Sequence, residues 1–286
     1  MNKEKIAVLT DSCADIPRHL IEAHDIHVLP LKIAFEGKTY TDGVDITPAE
    51  VCQRIKAELP KTSLPSPQEV QGLYQKIYDE GYRKVFALSL SSALSGTYNL
   101  VKLTGEQFQG LEVYAADTKS GSLGTGAIAL HVAELIEAGE SFEAIKALIP
   151  RLIENTHVYF SVDTLEYLQK GGRIGKITAA AGTLLNVKPI ISFDAEGQLV
   201  SVAKLRGRKK SLQKMAALAA GHFQPGKRCK IMVANGGCPD EMAAVKGLYT
   251  ELLPDYEALY EGEVDSTLSA HVGPNLLGAG ILLLDA

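Results

Sequence analysis

The chain of 286 residues has no tryptophan, so its near-UV absorbance comes from tyrosine. It has only four cysteines, Cys13, Cys52, Cys229 and Cys238. None forms a C-x-x-C pair and no histidine spacing beside them suggests zinc, so reduced thiols and no metal are expected. Long apolar runs are missing too. The longest near the C-terminus, Leu276 to Leu284, is roughly half of what spans a bilayer. The opening "MNKEKIAVLTDS" passes from charged residues straight into a strand pattern, so no signal peptide is expected. There is no excess of basic charge: 29 Lys and Arg stand against 34 Asp and Glu, a net charge of −5. A nucleic-acid partner is therefore not expected. No Ser/Gly/Pro linker, internal repeat or low-complexity segment interrupts the chain. These absences describe a cytoplasmic protein with at most transient membrane contact, and 46% hydrophobic with 22% charged residues excludes disorder.

In the first half, short β-branched runs alternate with helical patterns. Strands are expected at Ile6–Leu9, His27–Phe35, Val85–Leu90 and Leu111–Ala115. Helices are expected from Pro17 to His24, after the capping boxes Thr47/Glu50 and Ser66/Glu69, over Gly96–Phe108, and from the Gly-rich start of "SGSLGTGAIALHVAELIEAG". Strands separated by helices imply βαβ units and a parallel sheet. "EGKTYTDG" reads as a turn.

The texture changes after about Asn155. "VYFSV" reads as a strand and "DTLEYLQKGGR" as a helix with a glycine stop. "KPIISFDAEGQLVSVAKLRG" reads as a hairpin turning at Asp194–Gly197. A helix (Lys209–Ala220), a strand (Lys230–Ala234), a helix (Asp240–Leu252) and two terminal strands follow. The fold class expected is α/β in two domains: residues 1–154 with a parallel sheet, and residues 155–286 as an α+β unit with a mostly antiparallel sheet.

The loop "LSLSSALSGTY" (Leu88–Tyr98) sets four serines and a glycine at the carboxyl end of a strand, where open α/β sheets bind ligands. Ser95 reads as the N-cap of the next helix, whose N-terminus offers unpaired N–H groups to an anion. As a cap alone it would stabilise the helix by roughly 1 kcal/mol and bind nothing. The loop lacks a P-loop lysine, which argues against a nucleoside triphosphate. "KTSLPSP" (Lys61–Pro67) is a second hydroxyl cluster, alternatively an ordinary capped loop. "LTDSCADIP" is a third, alternatively an Asx turn into Pro17. His271 sits in "SAHVGPNLLGAG" between apparent strand residues, either satisfied structurally or turned into a cleft by the Gly-Pro bend. Arg173 follows a Gly-Gly stop, where a solvated arginine beside a C-cap is the plain alternative. "KLRGRKK" places five basic residues at positions 204–210, either a solvated face or a dock for an acidic partner or a phosphate.

Taken in order, "VLTDSCADIP", "KTSLPSP", "LSSALSGTY", "VDTLEYLQKGGRI", "NVKPIISFDAEGQL" and "SAHVGPNLLG" resemble the DegV family of bacterial fatty-acid-binding proteins over essentially the full chain. Ala93 and Asn275 depart from the usual pattern. The resemblance implies a two-domain fold holding a long-chain fatty acid in an internal tunnel, with no other cofactor. It implies that Thr62 and Ser95 hold the carboxylate, with Ser92 in the same loop, His271 from the second half, and Arg173 near the exit. It also implies a carrier without turnover of its own, a monomer that presents the acid to a separate ATP-dependent fatty-acid kinase for acyl-phosphate formation and phospholipid synthesis. Arg206 and Arg208 are the expected partner-binding residues. The physics agrees with this picture: a buried carboxylate needs several donors, and each buried methylene contributes about 0.8 kcal/mol before ordering costs.

Three other readings stay open. A hydrolase or acyltransferase would use Ser95 or Ser92 as nucleophile and His271 as base, with Asp11 or Asp117 behind it, although "SALSGTY" is not a G-x-S-x-G elbow. A protein adaptor would use the 204–210 patch and have an empty or collapsed interior. A small-anion binder would show a short polar pocket without an apolar tunnel.

Overall fold

β-Branched and leucine-rich runs of four to eight residues build the sheets, and the polar, glycine-marked segments between them turn the chain. The computed structural model describes residues 2–177 and 187–285; Asn186 of "NVKPIISF" lies outside them. In chain order the elements are β1 (Ile6–Asp11), α1 (Arg18–Ala23), β2 (Ile26–Leu29), β3 (Lys32–Phe35), β4 (Lys38–Thr41), α2 (Pro48–Arg54), β5 (Lys61–Ser63), α3 (Pro67–Asp79), β6 (Lys84–Ser89), α4 (Thr97–Gln107), β7 (Glu112–Asp117), α5 (Leu123–Glu137) and α6 (Phe142–Glu154). The second half adds β8 (Thr156–Ser161), α7 (Glu166–Lys170), β9 (Val187–Phe193), β10 (Leu199–Arg206), α8 (Arg208–Ala220), β11 (Cys229–Asn235), α9 (Pro239–Leu252), β12 (Ala258–Glu263), α10 (Ser266–Val272) and β13 (Leu277–Leu283).

The first half carries a parallel sheet in the order β2-β1-β6-β7. The second carries a sheet in the order β10-β9-β8-β13-β11-β12, antiparallel except for β11 with β12. The fold is thus the expected α/β pairing of a parallel and a mostly antiparallel sheet. Both capping boxes form, Thr47 with Glu50 and Ser66 with Glu69.

Two expectations need correction, and one helix was not anticipated. "EGKTYTDG" is not a plain turn: β3 and β4 form a hairpin there, and β5 joins it in a three-stranded sheet through Ile33 and Thr62. The residues around His271 are helical, because Asp265 caps α10 by accepting the Leu268 N–H at 2.8 Å. And a helix, α6, follows α5, capped by Ser141 and carrying Pro150 inside it.

The two halves share one core. Helix α5 is buried along most of its length, with Ile128, Leu130 and Val132 sealed from solvent. It packs on β1 and β6 from one side and on β11 and β13 from the other. A polar latch reinforces this seam. Lys230 of β11, 4% exposed, pairs with Glu134 of α5, and Tyr260 of β12 donates to the same carboxylate at 2.8 Å. Burial opposes the ionised Glu134, but His131, Lys230 and Tyr260 together hold its carboxyl down at about 2. Removing one partner of such a pair strands the other charge. Lys230→Ala is expected to cost about 2–4 kcal/mol, reduced from a fully buried pair because Glu134 keeps some solvent. Denaturant unfolding would measure this as a lower midpoint.

Candidate functional site

At the seam, the carboxyl ends of β1 and β6 meet the short β5, the end of α7 and the last turn of α10. Asp11 closes β1: its Oδ1 accepts the Cys13 N–H at 3.2 Å, the expected Asx turn, and its Oδ2 accepts the Leu90 N–H at 2.9 Å. Burial raises its carboxyl to about 7 against those two bonds. The first loop thereby anchors the serine loop.

Each serine of that loop has its own task. Ser91 donates to the carbonyl of Gly197 at 2.8 Å, so the β9–β10 turn is pinned to the first half. A Cβ on Gly197 would lie 2.2 Å from Ser91 Oγ, and its φ is +77°; only glycine fits that contact. Ser92 turns away from the cavity described below. Its N–H donates to Asp117 Oδ1 at 3.1 Å, and it is not among the residues lining the cavity, so it does not join Ser95 as expected. Ser95 is not the N-cap either. Gly96 takes that position in α4, while Ser95 Oγ accepts the Thr97 N–H at 3.3 Å and shares a 2.9 Å bond with Thr97 Oγ1.

Thr62, held by β5, shares a 2.8 Å hydrogen bond with Nε2 of His271. The residues are 209 positions apart in sequence and come from opposite halves. Two glycines make room for the imidazole and its helix. A Cβ on Gly171 would sit 2.4 Å from His271 Nδ1, and one on Gly273 would sit 2.3 Å from the Tyr167 ring. Burial, with the nearby Arg173 charge, lowers His271 to about 4. Arg173 donates to the carbonyls of Leu94 at 3.2 Å and Gly171 at 2.9 Å, and among the described residues it forms no ion pair.

Thr62, Ser95, Arg173 and His271 all face one cavity of about 390 Å³, within the range of small-molecule sites. Beyond them the walls are mostly apolar, with Leu94, Leu168, Phe160, Phe193, Met232 and Val264 among them, and Ser63, Ser122 and Thr267 as further hydroxyls. The interior is not a short polar pocket, which removes the support for a small-anion binder, and it is not collapsed. The hydrolase arrangement is not assembled. His271 is bonded to Thr62 and not to a serine, and its buried Nδ1 has no partner among the described residues. Asp11 and Asp117 are engaged elsewhere. No group of three or more His, Cys, Asp or Glu among the described residues is arranged to hold a metal ion. No described helix is long and apolar enough to cross a membrane.

The 204–210 patch is divided. Arg206 is exposed. Arg208, by contrast, is tied into the fold by Glu241 at 2.8 Å and the Asn275 carbonyl at 2.6 Å.

Sequence reasoning missed the carboxylates that set α10. Asp42 accepts the N–H groups of Ser266 and Thr267 at 3.1 and 3.2 Å, the Thr267 hydroxyl at 2.6 Å and the Ser12 hydroxyl at 3.0 Å. Asp15 accepts the Asp265 N–H at 2.8 Å. The aspartate of "YTDG" was visible as a turn residue, but nothing local connects it to a helix 224 residues away.

His271 gives this site a pH signature. Its value in the fold, about 4, lies below the ordinary 6.5. The unfolded chain therefore binds the extra proton first, and the stability tied to neutral His271 is present above 6.5 and lost as pH falls toward 4. Asp15 and Asp265 are raised by burial and act in the opposite sense: their contribution is present at low pH and lost as pH rises through their folded values. Comparing the parent with His271→Gln isolates the imidazole. Between pH 6.5 and 4 the parent should lose up to about 1.4 kcal/mol per pH unit more than the variant, read by urea unfolding across that window.

The model of the DegV family of uncharacterised proteins matches residues 5–283. A DegV domain-containing protein of Clostridium acetobutylicum is 41% identical over 278 residues, which cover 97% of this chain and 99% of that protein. The structure of a fatty-acid-binding DegV family protein from Thermus thermophilus superposes with a TM-score of 0.90 at 33% identity, covering 99% of this chain and 100% of that one. DegV of Bacillus subtilis, a fatty-acid-binding protein, gives 0.88 at 31% identity with the same coverage. A stearic-acid-binding protein from Eubacterium ventriosum gives 0.88 at 26% identity, covering 97% and 98%. With its whole length matched in sequence and in fold, the chain belongs to the DegV family.

Proposed function

We propose that this protein binds a long-chain fatty acid, with the carboxylate at Thr62, Ser95 and His271, Arg173 as its counter-charge, and the tail in the apolar cavity. The observation that carries the reading is the meeting of two hydroxyls, a half-buried imidazole and an arginine without an ion pair among the described residues on a mostly apolar cavity. An amphiphile with one anionic end matches that distribution. Structures of relatives from Thermus thermophilus and Bacillus subtilis described as fatty-acid-binding support it.

In this reading the division at residues 154 and 155 separates the Thr62 and Ser95 loops from the half that supplies His271. The protein is a carrier and a monomer. It presents the carboxylate to a separate ATP-dependent fatty-acid kinase, whose acyl phosphate enters phospholipid synthesis. The exposed Arg206 contacts that kinase, while Arg208 shapes the surface from beneath through Glu241.

Mass spectrometry of an organic extract of the purified protein tests the reading; near-stoichiometric long-chain fatty acid is expected. A folded sample that carries none and takes up neither palmitate nor oleate would sink it. Thr62→Ala and Ser95→Ala should each weaken binding by roughly 1–3 kcal/mol for a lost charge-assisted bond. Retention of parental lipid by both variants would remove those residues from the site. Arg206→Ala should leave lipid loading intact and slow phosphorylation by the kinase; an unchanged rate would exclude Arg206 from the contact.

A further inference from the structure

Strand β13 runs through the middle of the second sheet, between β8 and β11. Its residues Leu277, Ala279, Ile281 and Leu283 join the core under α8 and α9. Gly278 and Gly280 belong to the opposite face, followed there by Leu282. Across the sheet Gly278 stands between Phe160 and Ala234, and Gly280 between Val158 and Met232. All six border the cavity. Two side chains are thus missing from one face of a central strand, where glycine weakens pairing and packs nothing.

The two glycines have different explanations. A Cβ on Gly280 would lie 3.0 Å from the His157 carbonyl oxygen, 3.2 Å from Val158 and 3.3 Å from Met232, so close packing accounts for it. A Cβ on Gly278 would meet its three nearest atoms at 3.5, 3.6 and 4.0 Å, all from its own sheet. Nothing among the described residues forbids a side chain there. The space above Gly278 is kept open toward the cavity without a packing reason.

We propose that Gly278 and Gly280 form a notch along β13 that receives the acyl tail, and that the missing side chain at Gly278 sets the chain length admitted. Phe160 and Val158 wall the notch on one side, Ala234 and Met232 on the other, and Leu282 ends it. The notch contains no polar side chain, so it takes an unsubstituted hydrocarbon tail. This rests on the fatty-acid reading above, and it names the residue that tunes it.

The test loads delipidated parent, Gly278→Ala, Gly278→Val and Met232→Ala with an equimolar mixture of myristate, palmitate and stearate, and reads the bound ratio by mass spectrometry. Each methylene displaced from the notch should lower the longer acid by about fourfold. Gly278→Val is expected to reduce the stearate-to-myristate ratio by about tenfold or more, and Gly278→Ala by about two- to fourfold. Met232→Ala widens the notch and should raise the ratio. Should the valine variant fail to fold, the alanine variant, whose Cβ has room, and Met232→Ala decide. Full loading of these variants with the parental ratio would overturn the notch while leaving fatty-acid binding intact. A parent that takes up none of the three acids would instead overturn the fatty-acid reading itself.

Discussion

The hydrogen bond between Thr62 and His271 is the contact on which the site depends, and neither residue can make it alone. Thr62 is fixed because β5 pairs with β3, placing its hydroxyl at the edge of the cavity. His271 is fixed because α10 is held at its other end. A helix of seven residues has little stability of its own, and α10 is short in just this way. Its N-terminal N–H groups are taken by Asp42 and by the Asp265 cap, and Asp15 fastens the cap residue in turn. The clustered carboxylates are buried at a cost in desolvation, which raises Asp15 and Asp265. That cost is offset by backbone and hydroxyl donors converging on them. The acid cluster therefore does not need a ligand to explain it: it is the mount for the helix that carries the imidazole.

The same logic joins the two sheets. Neither half has a linker that could let it swing freely, and α5 is buried over most of its length because both sheets use it. Ser91 on Gly197 and Lys230 on Glu134 add polar contacts that are specific in direction where the apolar contacts are not. A cavity at such a seam stays open only if the halves cannot close onto it. The glycines of β13 and the Gly-rich start of α5 remove volume, while the latches hold the spacing.

Much of the fold was legible because local rules and tertiary packing agree there. The strands of the parallel sheet read from their β-branched runs, and both capping boxes form with the residues their spacing predicts. The errors fall where packing overrides local pattern. Ser95 has a good capping residue's chemistry, but Gly96 takes the cap and leaves the serine facing the cavity. "STLSAHV" lacks an apolar stripe long enough to announce a helix, and α10 forms because Asp42 and Asp265 take the N–H groups at its start. Arg208 looked like one of five equivalent cations in a run, and only the fold shows Glu241 and the Asn275 carbonyl around it. Of the candidate site, Thr62, Ser95, Arg173 and His271 come together, whereas Ser92 is drawn off by Asp117. No sequence rule separates two serines three positions apart by the carboxylate that one of them meets.

The orientation of the imidazole decides what Thr62 can offer. Nδ1 of His271 faces Gly171 and has no hydrogen-bond partner among the described residues. A neutral imidazole carries one N–H, and burial keeps this one neutral. Placing the proton on Nδ1 would bury an orphan donor, whereas placing it on Nε2 gives it Thr62 Oγ1 as acceptor. Thr62 then receives that bond and retains its own hydroxyl proton for another acceptor. The opposite tautomer would consume the hydroxyl proton at the ring and present only lone pairs to an anion. The same preference disables the base of a hydrolase, because a general base needs its lone pair at Nε2 and a carboxylate behind Nδ1 to stabilise the imidazolium. The geometry that makes His271 unsuited to abstracting a proton is the one that, in the fatty-acid reading proposed above, leaves the threonine as a donor for the carboxylate.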